Sequence, residues 1–240
     1  MENHSKRYDP YEAKSPSKGG GFRGRPAIPE AIKQIDSPFN YPAIWSFLQN
    51  KGLELYGKDF HLLAEDAVII LKLVSWFIKD GETAKKLKID LGKGILLTGP
   101  VGCGKTSLMN ICRFLLVAEH RHSMKSCRDV AYEFMKDGHE IFHRYTRGSF
   151  KPDRFEPKIY CFDDLGLEST MNFYGNQCSV MAEILLSRYD LFHSFGMITH
   201  ITTNLNSSEI EDKYGIRVRS RMRELFNLVA WPANAPDKRK

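Results

Sequence analysis

Apolar side chains change their spacing several times along the chain, and each change marks an expected boundary. Residues 1–37 show no apolar period. Pro10, Pro16, Pro26 and Pro29, the Gly19-Gly20-Gly21 run and basic side chains at 6, 7, 14, 18, 23, 25 and 33 predict a disordered basic tail. Such a composition buries too little apolar area to order itself. Residues 38–59 are rich in aromatics (Phe39, Tyr41, Trp45, Phe47, Tyr56) and predict a linker with one short helix. From 60 to 79, Phe60, Leu63, Ala67, Ile70, Leu71, Val74, Phe77 and Ile78 recur with helical period, and Gly81 ends the run.

Beyond Gly81 short apolar runs alternate with amphipathic stretches. Strands are predicted over 94–98, 123–127, 159–162, 197–203 and 227–231. Helices are predicted over 105–119, 129–143, 179–192 and, in two pieces, 207–226. Residues 144–157 read as a loop. Strands that alternate with helices predict an α/β domain whose parallel sheet is covered on both faces. That domain is expected to occupy residues 60–232, with a basic tail over 233–240.

Chemistry concentrates at the predicted strand ends. Gly99-Pro100-Val101-Gly102-Cys103-Gly104-Lys105-Thr106 has the GxxxxGK[ST] spacing, follows a strand and opens a helix. Glycines at these positions let backbone N–H groups turn inward around a phosphate, and the following helix, through Ser107, adds its positive dipole end. Lys105 would reach the β- and γ-phosphates of ATP and Thr106 would ligate Mg²⁺. The run Ile159-Tyr160-Cys161-Phe162 leads into Asp163-Asp164. Asp163 is expected to hold the metal, and Asp164 to orient or deprotonate the attacking water. Asn204, ending Ile201-Thr202-Thr203, could hold the water or the γ-phosphate. In Tyr214–Arg223, Arg217 and Arg221 share one helical face and Arg219 and Arg223 another. A guanidinium from this segment could reach the γ-phosphate of a neighbouring subunit.

These four elements, in this order, resemble the AAA+ ATPases, and within them the branch of bacterial helicase loaders and transposition helpers known as DnaC/IstB-like. The resembling residues are Gly99–Thr106, Ile159–Asp164, Thr202–Leu205 and above all the Tyr-Gly-x-Arg-Val-x-Ser-Arg-Met of 214–222. The resemblance spans about residues 60–232 and implies a five-stranded sheet in the order 5-1-4-3-2. It also implies ATP-dependent assembly into a ring or spiral, nucleotide at the subunit interface and single-stranded DNA in a channel. Arg221 becomes the first choice for the arginine finger and Arg217 the second, and Asn204 becomes sensor 1. Many AAA+ proteins carry Asp-Glu where this chain has Asp163-Asp164. Only nine residues follow Trp231, so no helical lid is expected.

Composition adds little to this picture. The chain has 240 residues, 35 Lys and Arg against 29 Asp and Glu, and a formal charge of +6. That balance is a mild pointer to polyanions. No apolar run is long enough to span a membrane, and the first residues do not read as a secretory leader. Five scattered cysteines suggest reduced thiols in the cytoplasm. Three further patterns carry candidate chemistry or contacts. His139-Glu140-Ile141-Phe142-His143 has zinc-peptidase spacing, but its best third ligand, Glu168, lies in the segment after Asp164. The stretch 143–154 interleaves Arg144, Tyr145, Arg147, Phe150 and Lys151, a pattern suited to single-stranded DNA. Tyr174-Gly175-Asn176 could contact a neighbouring subunit. The expected protein is therefore an oligomeric ATPase that binds ATP-Mg²⁺ and single-stranded DNA. It would load or recruit a DNA machine, first a replicative helicase. The alternatives are a transposase-recruiting helper and a nucleotide-gated binding module with little hydrolysis.

Overall fold

A computed structural model describes residues 28–168, 171–173 and 176–239, and the chain divides into two units, Met1–Ala67 and Val68–Lys240. In the first unit the last part of the expected tail carries a short helix, α1 (Glu30–Lys33), whose Ile32 is buried. Asn40 caps α2 (Tyr41–Tyr56) by accepting a hydrogen bond from the Ala43 amide at 3.0 Å, with Pro42 in the first turn. Tyr41, Trp45 and Leu48 are buried. The helix expected from residue 60 begins later, and Gln49 shows why. Its side-chain amide donates to the Phe60 carbonyl at 2.9 Å and accepts from the Leu62 amide at 2.8 Å. Those backbone groups are thus satisfied outside a helix, and α3 spans Ala67–Phe77.

In the second unit α3 is followed by α4 (Gly81–Lys86), capped by Asp80. The sheet is built from β1 (Gly94–Thr98), β2 (Ser123–Ser126), β3 (Tyr160–Leu165), β6 (Thr199–Thr203) and β7 (Phe226–Ala230). Every pair is parallel, and the order is β2-β3-β6-β1-β7. Counted by sheet strand, this is the 5-1-4-3-2 order that the resemblance implied. The connections carry α5 (Lys105–Cys112), α6 (Cys127–Asp137), α7 (Glu140–Tyr145), α8 (Val180–Phe195) and α9 (Ser207–Leu225). Leu96, Phe162, Ile201 and Phe226 face one core with α6, α8 and α9. Across the sheet, Trp76 and Phe77 of α3 pack on the His200 ring, and α5 supplies Leu108, Met109, Ile111 and Cys112, all buried.

Three elements differ from expectation. The helix after the glycine-rich loop ends at Cys112, tightens into a 3-10 turn and is extended by Leu116. The run 129–143 is two helices, because Gly138 takes φ +60° and closes α6. Between β3 and α8 lies an unforeseen antiparallel hairpin of β4 (Met171–Phe173) and β5 (Asn176–Cys178). Tyr174 and Gly175, of the proposed interface loop, lie outside the described residues. After β7 the Trp231 amide bonds to the Thr98 carbonyl at 2.9 Å, and the Lys238 amide to that of Gly102 at 3.0 Å. The expected C-terminal tail thus returns to the glycine-rich loop. No helix among the described residues is long and apolar enough to cross a membrane.

Candidate nucleotide site

β1 delivers the chain to the glycine-rich loop, and Gly104 turns it into α5 from a left-handed conformation, φ +100°. A Cβ is strained there. Lys105 is 95% buried, and its Nζ donates to the carbonyls of Gly99 and Pro100, both at 2.8 Å. Burial lowers its pKa, while Cys103, Asp164 and Asp163 pull it back up. Both carboxylates therefore act on the ammonium.

The next residue, Thr106, donates its hydroxyl to the Asp163 carboxylate at 2.9 and 3.1 Å. Asp163 ends the regular part of β3 and is buried. It accepts a second hydroxyl, from Thr202 of β6, at 2.6 Å. The Thr202 oxygen in turn accepts the Asp164 amide at 2.9 Å. In a regular strand Asp163 and Asp164 would point to opposite faces. Here the β3–β6 register shifts between Phe162 and Leu165, and Asp164 takes φ +56°. Bulges of this kind re-aim a side chain beside a site. This bulge brings the second carboxylate, too, within electrostatic reach of Lys105.

A hydroxyl and a carboxylate side by side are hard oxygen donors of the type Mg²⁺ takes. Thr106 and Asp163 therefore fit the expected metal role, with Thr202 holding the carboxylate from behind. Asn204 lies just past β6 with its side-chain oxygen buried and unpaired. It lines a cleft of about 610 Å³ with Gly99, Pro100, Leu205 and Trp231. Thr202 was legible only as part of a strand end, since nothing in the sequence distinguishes a load on its hydroxyl from ordinary β-propensity.

Arg219 and Arg223 line that same cleft, whereas Arg217 and Arg221 do not. Arg217 is exposed. Arg221 lies over the Tyr189 ring at 4.2 Å and donates to its hydroxyl at 2.6 Å. Arg219 is held by Ser207 and Glu211. None of the described hydrogen bonds or ion pairs joins Arg217 or Arg221 to Lys105, Asp163 or Asp164 of the same chain.

The basic–aromatic stretch requires correction. Tyr145 is 1% exposed and donates to Glu133, so it presents no face to a base. Arg144 is paired with Glu133 and Asp137, and Lys151 with Glu156. The amphipathic packing of α7 decides this. Of the five, only Arg147 is exposed, without a described carboxylate partner. It lines a separate cleft with the exposed Phe155 and Phe195. In the HExxH segment, Glu140 and His143 sit exposed at the surface, while Glu168 is engaged by Tyr214 and the Gly166 amide. No cluster of three metal-binding side chains occurs among the described residues.

Sheet order, glycine-rich turn and a carboxylate-ended strand set one place away from β1, across β6, are those of a P-loop α/β domain. No family model and no curated protein matches the chain. Among solved structures, the chain is similar to the crystal structure of the DnaC helicase loader, with TM-score 0.43 and 19% identity over 59% of this chain and 79% of that one. The crystal structure of DnaI gives 0.48 and 18% over 72% and 88%. AMPPCP-bound DnaA from Aquifex aeolicus gives 0.46 and 19% over 71% and 48%. Likeness this distant carries no argument about function, which has to come from the site.

Proposed function

We propose that the chain is an AAA+ type ATPase that binds ATP with Mg²⁺ on its P-loop and completes the site with an arginine from a neighbouring copy. One observation carries this reading: Thr106, Asp163 and Thr202 form a continuous chain of oxygen donors beside a buried Lys105. The backbone N–H groups of 101–106 and the start of α5 hold the phosphates. Lys105 exchanges the Gly99 and Pro100 carbonyls for phosphate oxygens. Thr106 and Asp163 would hold Mg²⁺, which would supply positive charge against the phosphates. Asp164 accepts the proton of the attacking water, and Asn204, whose amide oxygen is unpaired, orients that water. Arg221, with Arg217 second, meets the developing charge on the γ-phosphate of the adjacent protomer. The Tyr214–Arg223 segment supports the helicase-loader version, in which the oligomer holds single-stranded DNA and delivers a replicative helicase.

The test is ATP turnover with and without single-stranded DNA, for wild type and Arg221→Ala, over a range of protein concentrations. Turnover per protomer is expected to rise with concentration and DNA, and to fall about 10³-fold in the variant. Turnover independent of concentration and of Arg221 would mean that each protomer is complete by itself. A second reading, a nucleotide-gated binding module, is favoured by the short side chain of Asp164. Tight ATP binding with negligible turnover would select it.

A further inference from the structure

The loop that follows the paired carboxylates is tied to the arginine-bearing helix by a compact polar cluster. Glu168 is 95% buried. Its carboxylate accepts the Tyr214 hydroxyl on one oxygen and the Gly166 amide, at 2.9 Å, on the other. Next to Tyr214, Lys213 donates its ammonium to the carbonyls of Gly166 and Glu168, the latter at 3.0 Å. Two consecutive residues of α9 thus grip the segment 166–168 from both sides. That segment is in turn keyed to the site. Thr203 donates to the Leu165 carbonyl at 2.6 Å. A Cβ on Gly166, at φ +108°, would meet the Leu205 side chain at 2.6 Å, so the loop packs against the residue that follows Asn204.

Immediately after Tyr214, α9 breaks. Gly215 has φ +87° and ψ 160°, which is not helical. Beyond it, Val218, Met222 and Leu225 anchor the second half of the helix in the core. Arg217 and Arg221 lie on that half. Gly215 is therefore a joint between one segment gripped by the carboxylate loop and another that carries both arginines. Among the described hydrogen bonds and ion pairs no cation reaches the Glu168 oxygens, and an aromatic hydroxyl shares their pocket, so the grip depends on those two donors.

We propose that Glu168, Tyr214 and Lys213 form a latch that transmits the state of the Asp163–Asp164 loop through Gly215 to the arginines a protomer offers its neighbour. The inference rests on the shared-site reading above. All three are positioning residues: they touch neither phosphate nor metal, and they act through the setting of Arg217 and Arg221. A site that gains its phosphates and metal shifts the loop, the latch carries the shift to Tyr214, and the helix beyond the joint re-aims.

Mixed assemblies test this. Asp164→Asn protomers bind ATP without hydrolysing it and donate an intact arginine, and Arg221→Ala protomers have an intact site but no arginine. Mixing the two inactive proteins is expected to restore ATP turnover at the junctions between them. Tyr214→Phe is then placed in one partner at a time. It keeps the ring in the core and removes only the hydroxyl. In the Asp164→Asn donor it should reduce the restored turnover about tenfold, the usual scale of coupling between sites. In the Arg221→Ala acceptor it should leave it within about twofold. Lys213→Met, a change at an exposed side chain, should repeat the asymmetry. Equal loss in both arms would make the cluster a plain structural brace and overturn the latch. No loss in either arm would overturn it as well. Failure of the unmodified pair to restore turnover would instead remove the shared site, and the latch with it.

Discussion

Two buried cations sit at opposite ends of the same sheet, and their surroundings differ in kind. Lys105, at the carboxyl end, spends its hydrogen bonds on two carbonyls of its own loop. Arg188, at the other end, is fully buried in α8 and has no carboxylate partner in the hydrogen bonds described. It donates to Thr199 Oγ1 at 2.6 Å and to the carbonyls of Tyr145, Lys158 and Ile198 at 2.8, 3.1 and 2.9 Å. Those four acceptors belong to α7, to the approach to β3 and to the start of β6. Arg188 therefore staples separate elements, whereas Lys105 holds only a loop that has to open for a phosphate. Burial lowers the pKa of both, that of Arg188 to about 9. Burial alone thus does not separate a ligand-binding cation from a structural one. What separates them is whether the partners are exchangeable.

The contrast breaks most easily at Arg188. Arg188→Met strands three carbonyls and a hydroxyl, and should lower the unfolding free energy by about 3–5 kcal/mol in urea titrations. A loss below about 1 kcal/mol would mean that water replaces the staple. Lys105→Ala should do the opposite. It should leave the urea midpoint within experimental scatter of wild type and weaken ATP binding about 100-fold, near 2.7 kcal/mol, by calorimetric titration. A large loss of stability would erase the distinction between the two cations.

A smaller effect sharpens the picture of the Arg188 end of the sheet. His122 and His200 are buried with ring centroids 5.1 Å apart, packed by Trp76 and Phe77. Burial, helped by Arg113, lowers the His122 pKa to about 3, and His200 is held well below its ordinary value by burial and by His122. The unfolded chain therefore binds protons near pH 6.5 that the folded chain refuses. Stability is complete above that pH and declines as pH falls from about 6.5 toward 3, by roughly 1.4 kcal/mol per pH unit for each histidine. Urea midpoints measured at pH 7.5 and 5.5 should show the fall, and His122→Leu should reduce it by about half, leaving the His200 share. A midpoint unchanged between the two would contradict the neutral, buried pair.

The sheet was readable in advance because its strands are short, apolar and separated by helices, so that one-dimensional pattern and three-dimensional layer coincide. Lys105, Thr106 and Asp163 were readable because phosphate and metal chemistry restricts both residue type and spacing. The remainder depends on partners distant in sequence. Gln49 takes up the backbone that the periodicity of 60–66 assigned to a helix. Tyr145 looked like an exposed aromatic in a basic loop, but its position on α7 turns it into the core. Glu168 looked like a spare metal ligand, whereas a tyrosine 46 residues away claims it. The bulge that re-aims Asp164 has no signature in the run Cys-Phe-Asp-Asp-Leu, because it is a property of two strands aligned together.

That bulge also constrains how the gene can change length. The β3–β6 ladder is in register at Phe162 and resumes at Leu165. Loss of one codon between them would restore the simple alternation and remove one of the two carboxylates that act on Lys105. An insertion would slide Leu165 off Thr203. The exposed turn at 152–154, between Phe150 and its bridge partner Pro157, meets no such ladder. Natural variants of this chain are expected to differ in length at that turn and to keep the spacing from Phe162 to Leu165 unchanged.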